Sequence, residues 1–201
     1  EARRRLGLAP DAKVIIGVGN LIPTKGFHRV IPLLPELRRR HPGLAYLIVG
    51  GGSSQGDQRG ELEALARQHG VADIVRFCGR QPQEALKWHY GAADVFAQAT
   101  EFEGWSNVLL EAMACGLPVA AYPVAGPLDV VGASGAGVLD EDLGRACQRA
   151  LGIGSELPRR QAMRHCWRES SLRLASLLAV RRAAGEAPAC APAEPVSIRP
   201  S

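Results

Sequence analysis

The stretch Val14-Ile15-Ile16-Gly17-Val18-Gly19 decides the fold, because it is short, apolar and bounded by turn-forming residues. Such a run is typical of a strand that is buried on both faces of a sheet. The pattern returns at residues 44–49, where a second apolar run ends in Gly50-Gly51-Gly52. Short apolar runs that alternate with longer helical segments predict βαβ units and a parallel sheet. Ligands bind such sheets in the loops at the carboxyl ends of the strands.

The same alternation continues through most of the chain and predicts an α/β fold, a Rossmann-like parallel sheet flanked by helices. Further strands are expected at residues 74–77, 94–98, 117–122 and 137–139. Helices are expected at about residues 26–40, 60–69, 82–91 and 105–115, and again after residue 140. Pro32 and Pro35 should make the first of these helices irregular or split, and Gly116 should end the helix before it.

The chain divides into four segments by composition. Residues 1–12 are interpreted as a helix end or linker, and residues 13–155 as the Rossmann-like domain. Residues 156–183 are expected to form an amphipathic helix, with Trp167 on its apolar face. Residues 184–201 are rich in Ala and Pro and are expected to be disordered. The first residue is Glu1 rather than Met, which suggests a fragment.

Composition narrows the class of protein. Of the 201 residues, 46% are hydrophobic and 22% are charged, which indicates a globular chain. The formal net charge is only +4 and no aromatic-rich basic platform accompanies the arginine clusters, so nucleic-acid binding is not expected. Five widely spaced cysteines, with no C-x-x-C pair, favour a reduced, cytoplasmic protein without structural zinc. Peripheral contact with the inner face of a membrane stays open.

One carboxylate stands out in an apolar segment. From Gly104 to Ala121 the only acidic residue is Glu111. A buried carboxylate needs a partner, because burial without one costs several kcal/mol. On a helix over residues 105–115, Glu111 would share a stripe with Asn107 and Gly104, next to the free amides that make helix starts anion sites. A nucleotide would satisfy both groups, with its diphosphate at the amides and its ribose on Glu111. Pairing of Glu111 with a buried arginine, or capping of a neighbouring loop, is the alternative.

Lys25 is a second candidate, because it precedes a helix after the first strand. A cation at a helix start opposes the helix dipole unless an anion binds there. The alternative is a lysine that points into water. Gly17-x-Gly19 with Gly26 does not complete a G-x-G-x-x-G fingerprint, so a nicotinamide cofactor is poorly supported. The five histidines have no spacing typical of a metal site.

Several motifs in order resemble one enzyme family. Glu103-x7-Glu111, followed by Ala-Met-Ala-Cys-Gly-Leu-Pro-Val, is similar to the signature of the retaining GT-B glycosyltransferases of family 4, the group 1 transferases. The supporting motifs are Gly19-Asn20-Leu-x-x-x-Lys25-Gly26, Ile48-Val49-Gly50-x-Gly52, Val75-Arg76-Phe77-x-Gly79 and Tyr90-x-Ala92-Ala93-Asp94-Val95. The resemblance covers residues 13–150 and makes this chain the donor-binding, C-terminal half of a GT-B fold.

The resemblance implies roles for individual residues. Glu103 would stabilise charge at the anomeric carbon of the transferred sugar, and Lys25 would contact the departing diphosphate. Glu111 would hold the ribose hydroxyls. The remaining donor contacts would come from Gly19, Asn20, Gly79, Arg80, Gly104, Trp105, Ser106 and Asn107, with Gly79 and Arg80 beside the base through their backbone. The implied reaction moves a sugar from a UDP or GDP sugar to a glycan or lipid-linked acceptor, with retention and without an obligatory metal or other cofactor.

Two departures from the family pattern matter. Asn20 stands where the family often has arginine, so Lys25 would carry more of the phosphate binding. Only the second GT-B domain is present, so the N-terminal acceptor domain would be missing and the fragment inactive by itself. A non-catalytic nucleotide-binding or interaction module is therefore the alternative. Sugar-nucleotide epimerases and phosphorylases share the two-domain layout, but no pyridoxal lysine site is apparent.

Overall fold

A six-stranded parallel sheet forms the centre of the protein, in a computed structural model that describes residues 1–165 and 176. The strands are β1 (Val14–Val18), β2 (Ala45–Val49), β3 (Val75–Gly79), β4 (Val95–Gln98), β5 (Val119–Ala121) and β6 (Gly137–Leu139). They lie in the order β3-β2-β1-β4-β5-β6. In the central strand, Ile16 pairs with Leu47 on one side and Phe96 on the other. The Rossmann-like α/β fold expected from the sequence is thus confirmed.

The strand order opens a crevice at one edge of the sheet. The chain adds strands outward from β1 to β3, and then returns to the other side of β1 with β4. The loops after β1 and β4 consequently leave the sheet side by side in space. In open α/β sheets this switch point is where ligands bind.

Helices cover both faces of the sheet. They are α1 (Ala2–Arg5), α2 (Phe27–Val30), α3 (Leu34–Arg40), α4 (Arg59–Gln68), α5 (Gln83–Ala92), α6 (Asn107–Ala114), α7 (Ala125–Val130), α8 (Leu143–Ala150) and α9 (Glu156–Met163). The split expected near Pro32 is confirmed, because a 3-10 turn at Ile31–Leu33 separates α2 from α3. Gly116 follows α6 with φ of +81°, a value that favours glycine, and so ends the helix as expected.

The start of α6 differs from the sequence prediction. The helix was expected from residue 105 but begins at Asn107, because Ser106 has an extended backbone (φ −106°, ψ 95°). Gly104 and Trp105 therefore belong to the preceding loop. The expected helical stripe holds for Asn107 and Glu111, which are one turn apart, and is wrong for Gly104.

Two apolar layers sandwich the sheet, because successive strand residues point to opposite faces. In β1, Ile15 packs into one layer and Ile16 into the other, and both are fully buried. The first layer includes residues of α2, α3, α4 and α8, and the second includes residues of α5, α6 and α9. The sheet is therefore rigid enough to fix the positions of the loops at its edge.

The chain ends can be described only in part. Within residues 1–12, Arg3 of α1 donates to Asp94 Oδ2 at 2.8 Å, and the same oxygen accepts from the Val14 amide at 2.8 Å. Helix α9 lies inside the predicted helix 156–183, whose Trp167 is outside the described residues, as are residues 184–201. No helix in the described part of the chain is long and apolar enough to cross a bilayer.

Candidate functional site

A cleft of about 380 Å³ lies at the carboxyl edge of the sheet. The residues that line it are Val18, Gly19, Asn20, Lys25, Val49, Gly50, Arg80, Gln81, Leu86 and Val108. These residues come from the ends of β1, β2 and β3 and from α5 and α6. The two charged residues in the lining, Lys25 and Arg80, are both cations. An anionic ligand is therefore the electrostatically favoured occupant.

The loop after β1, residues 19–26, packs closely against its neighbours at two glycines. At Gly50 a Cβ atom would lie 1.8 Å from the Gly19 carbonyl oxygen, and φ is +147°. At Gly26 a Cβ atom would lie 2.1 Å from the Ala99 carbonyl oxygen, and φ is +71°. Side chains at either position would displace the backbone of the site. The loop that carries Lys25 is therefore fixed by close backbone packing at glycines, in addition to the burial of the Leu21 side chain.

Lys25 and Glu103, the two predicted catalytic residues, are in direct contact. Lys25 Nζ donates to Glu103 Oε2 at 3.0 Å. The Glu103 side chain is only 15% exposed and that of Lys25 32% exposed. The sequence predicted them to face different parts of a ligand, and the structure joins them in a partly buried ion pair. Lys25 is thus not a lysine that merely points into water.

A buried glutamine that the sequence analysis missed supports this pair. Gln98 ends β4 and is only 6% exposed. Its Nε2 donates to Glu103 Oε2 at 3.0 Å and to Thr100 Oγ1 at 3.3 Å. Its Oε1 accepts from Ser106 Oγ at 3.2 Å. The available signal was a polar residue at the end of an otherwise apolar strand, directly before the acidic motif.

The backbone of Glu103 is fixed from a second direction. The Gly126 amide, at the start of α7, donates to the Glu103 carbonyl at 2.8 Å. A Cβ atom at Gly126 would lie 2.8 Å from that carbonyl oxygen and 3.1 Å from Glu103 Cγ. This contact also places the start of α7 next to Glu103.

The start of α6 lies next to the ion pair and has no side-chain cap. Ser106 occupies the cap position, yet its hydroxyl is turned to Gln98. Trp105 is half exposed in the preceding loop, and Asn107 is exposed on the first turn of the helix. The Asn107 and Val108 amides donate to no group among residues 1–165 and 176 and are available to an anion, whereas the Leu109 amide donates to the Ser106 carbonyl at 3.2 Å.

Glu111 lies one turn into α6 and is half-buried. Tyr90 Oη donates to its Oε2 at 3.0 Å, and Gln83 Nε2 donates to its Oε1 at 3.2 Å. The alternative of a buried arginine partner is not found among residues 1–165 and 176, since both contacts come from neutral groups. Burial, and secondarily the charge of Glu111, raise the pKa of Tyr90, so its hydroxyl stays protonated and continues to donate.

The end of β3 brings a cation over the β1 loop. Gly79 has φ of +66° and its carbonyl accepts from the Gly50 amide at 2.9 Å. The Arg80 side chain turns back, so that Nη2 contacts the Gly52 carbonyl and lies 3.5 Å from Asn20 Oδ1. That Gly79 and Arg80 contact a base through their backbone stays a prediction. The Arg80 guanidinium also faces the cleft, which the sequence analysis did not anticipate.

The structure thus gathers the predicted residues into two adjoining groups. One is the cleft, which contains Gly19, Asn20, Lys25 and Arg80. The other is the segment 103–111, which is joined to the cleft through the Lys25–Glu103 pair and Val108. Within residues 1–165 and 176, no group of three or more His, Cys, Asp or Glu side chains is placed to hold a metal ion.

Comparisons of sequence point to enzymes that transfer sugars. A family model described as Glycosyl transferases group 1 matches residues 1–142. A D-inositol 3-phosphate glycosyltransferase of Actinosynnema mirum is 45% identical over 131 residues, covering 63% of this chain and 31% of the relative. A GDP-mannose-dependent alpha-(1-6)-phosphatidylinositol monomannoside mannosyltransferase of Mycolicibacterium smegmatis is 38% identical over 205 residues, covering 92% and 52%. The chain therefore spans about half or less of the length of these relatives.

Comparison of structures agrees with the sequence matches. A sucrose-phosphate synthase of Thermosynechococcus elongatus superposes with a TM-score of 0.76 and 28% identity. The match covers 91% of this chain and 49% of that enzyme. The chain thus resembles about one half of a GT-B enzyme, as the sequence motifs indicated.

Proposed function

Because the chain belongs to the glycosyl transferases group 1 family, we propose that it forms the donor-binding half of a retaining glycosyltransferase. Its donor is a sugar carried by UDP or GDP, and the acceptor is a glycan or a lipid-linked sugar bound by another domain. No metal is obligatory in this proposal. The observation that carries it is a cleft whose charged lining residues, Lys25 and Arg80, are both cations, with Glu103 paired to Lys25.

The diphosphate of the donor occupies the cleft. Lys25 and Arg80 supply positive charge, and the uncapped amides at the start of α6 supply hydrogen-bond donors. Both features stabilise an anion without a bound cation. Arg80 provides a second charge in the cleft, where Asn20 is neutral.

The ribose lies against Glu111. Tyr90 and Gln83 each donate to one carboxylate oxygen and so fix the plane of the group. Each oxygen retains a lone pair for a further hydrogen bond, which matches the two adjacent hydroxyls of a ribose. A deoxyribose would lose one of these bonds, so ribonucleotides are the preferred donors.

The Lys25–Glu103 pair matches the charge separation of the reaction. As the bond from the anomeric carbon to the diphosphate oxygen breaks, negative charge develops on the diphosphate and positive charge on the sugar ring. Lys25 stabilises the first and Glu103 the second. The two side chains lie 3.0 Å apart, so both are placed beside the same breaking bond and neither has to be brought in from another part of the chain.

The names of the two relatives support this proposal. One relative is named as dependent on GDP-mannose, and the other as a glycosyltransferase. Because this chain matches only part of each relative, the acceptor is bound by residues outside the site described above. We therefore expect the chain alone to bind donor rather than to transfer sugar.

Calorimetric titration with UDP, GDP and their sugar conjugates tests the proposal. At least one nucleoside diphosphate should bind, and Glu111→Ala should weaken it about tenfold or more, since a hydrogen bond to a charged group contributes about 1.5–3 kcal/mol. Glu36→Ala is the matched control, because Glu36 is on α3 and pairs with Arg39 and Arg40 instead. Absence of binding at millimolar ligand, in a protein that is folded by circular dichroism, contradicts the proposal.

An assay of sugar transfer distinguishes the proposed enzyme from the alternative, a non-catalytic binding module. If a longer protein that contains this chain binds the nucleotide sugar but transfers no sugar to any acceptor glycan or lipid, the chain is a binding module. Transfer that is lost in Glu103→Ala supports the enzyme.

A further inference from the structure

We propose that Gln98 is a positioning residue that serves two parts of the site at once. It orients the carboxylate of Glu103, and it keeps the start of α6 open to the donor diphosphate by holding the hydroxyl of Ser106 away. This inference rests on the proposed function, because it assumes that a diphosphate binds beside α6.

The position of the Gln98 amide is fixed by its surroundings. The side chain is only 6% exposed, and each of its polar atoms has a partner. Its amino group faces the Glu103 carboxylate, which accepts hydrogen bonds only. The reversed amide would place a carbonyl oxygen against that carboxylate, so the charge of Glu103 selects the observed orientation. The carbonyl of Gln98 must then face Ser106.

The first consequence concerns Glu103. Its Oε2 accepts from both Lys25 and Gln98, each at 3.0 Å. Among residues 1–165 and 176, Glu103 Oε1 accepts no hydrogen bond. Two donors on one oxygen restrict the rotation of the carboxylate, and leave the other oxygen for the sugar of the donor. Gln98 therefore acts on the sugar through Glu103 and does not need to touch it.

The second consequence concerns Ser106. A serine at the cap position of a helix normally accepts a hydrogen bond from an amide of the first turn. Asp142 does this at α8, where its Oδ1 accepts from the Arg145 amide at 3.0 Å. Ser106 is only 2% exposed and instead donates its proton to Gln98. Without Gln98, the hydroxyl would turn to the helix and occupy the amides that the diphosphate requires.

Replacement of Gln98 by methionine, which is similar in length but has no amide, tests both consequences. The 201-residue wild type, Gln98→Met, Ser106→Ala and the double variant are titrated with UDP, GDP, the parent nucleosides and the sugar nucleotides. We expect Gln98→Met to bind the diphosphate about fivefold more weakly, the size of a helix-cap effect. Binding of the nucleoside should be unchanged. Ser106→Ala should bind like the wild type, because the predicted donor contact of Ser106 is made by its backbone amide, whereas its hydroxyl faces Gln98.

The double variant tests whether the Ser106 hydroxyl is what weakens diphosphate binding in Gln98→Met. Removal of the Ser106 hydroxyl should restore diphosphate binding to within about twofold of the wild type, because nothing then competes for the amides. Gln98→Met should in addition bind the sugar nucleotide more weakly than the diphosphate loss accounts for, because Glu103 loses the hydrogen bond from Gln98, and this extra loss should persist in the double variant. A role of Gln98 in stability alone would not be rescued by a second substitution in the same buried cluster.

The possible outcomes distinguish a failure of this inference from a failure of the proposed function on which it rests. If the folded wild type binds no nucleoside diphosphate, the proposed function fails, and the inference with it. If the wild type binds but Gln98→Met has no effect, or Ser106→Ala does not rescue it, only the inference is overturned. Should Gln98→Met not fold, Ser106→Asn tests the same competition, because its amide can donate to Gln98 while its carbonyl oxygen accepts from the first turn of α6. It should weaken diphosphate binding about fivefold without adding charge, and unchanged binding would overturn the inference.

Discussion

Replacement of Glu103 by glutamine should make the site bind free nucleoside diphosphate more tightly, although it removes a predicted catalytic group. In the structure, Lys25 Nζ lies 3.0 Å from Glu103 Oε2. The diphosphate must draw that amine away from a carboxylate. An amide of the same shape keeps the hydrogen bond from Gln98 but loses the charge that competes for Lys25.

The size of the effect follows from the geometry of the pair. Two unit charges 3.0 Å apart interact with about 5–6 kcal/mol at an effective dielectric constant of about 20. Lys25 is 32% exposed, so solvent screening and the cost of desolvation leave a net value of about 1–2 kcal/mol. The affinity for UDP or GDP should therefore rise by roughly 5- to 30-fold.

Isothermal titration of UDP and GDP into wild type and Glu103→Gln measures this change. Glu101→Gln is the control, because Glu101 is in the same loop but pairs with Arg29 at an exposed position. It should leave the affinity unchanged. If Glu103→Gln folds normally and binds the diphosphate no better than wild type, Lys25 is not the competing phosphate ligand and the reasoning is refuted.

Three further substitutions probe other parts of the site. Tyr90→Phe removes the hydrogen bond to Glu111 but keeps the ring. The free energy of unfolding measured in urea should fall by about 1–2 kcal/mol, and the affinity for nucleotide measured by titration should fall several-fold. Unchanged affinity would show that Glu111 does not need this hydrogen bond. Arg80→Gln should weaken the binding of UDP or GDP about fivefold and reduce its dependence on salt concentration, while the binding of the nucleoside stays unchanged. An equal loss of affinity for the diphosphate and the nucleoside would contradict a role of Arg80 in phosphate binding. Gly50→Ala should lower the free energy of unfolding by about 2 kcal/mol or more, since its Cβ would lie 1.8 Å from the Gly19 carbonyl; a thermal melt like that of wild type would show that the backbone can yield there.

The sheet was predictable because its signals are local. The apolar run at residues 14–19 and its counterpart at 44–49 are bounded by glycines, and such runs have few alternatives to buried strands. Pro32 predicted the break between α2 and α3 for an equally local reason, the missing amide proton. The candidate residues Lys25, Glu103 and Glu111 were identifiable because charge in an apolar or turn-rich context needs an explanation.

The contacts between these residues were not predictable, because they join distant parts of the chain. Lys25 and Glu103 are 78 positions apart, and nothing in either local pattern indicates that they meet. Gln98 resembles any polar residue at the end of a strand until its partners are known. The start of α6 was misplaced by two residues because Trp105 was taken into the helix, although Ser106 is of a residue type favoured directly before a helix.

The missing side chain at Gly26 has a mechanical consequence. A Cβ atom at Gly26 would lie 2.1 Å from the Ala99 carbonyl oxygen, so the backbone of the loop after β1 packs directly against the backbone that follows β4. Lys25 is one residue before Gly26, and Glu103 is four residues after Ala99. A displacement of one loop should therefore displace the other, and this contact fixes how far apart the backbones of Lys25 and Glu103 lie, while their side chains stay free to change partner.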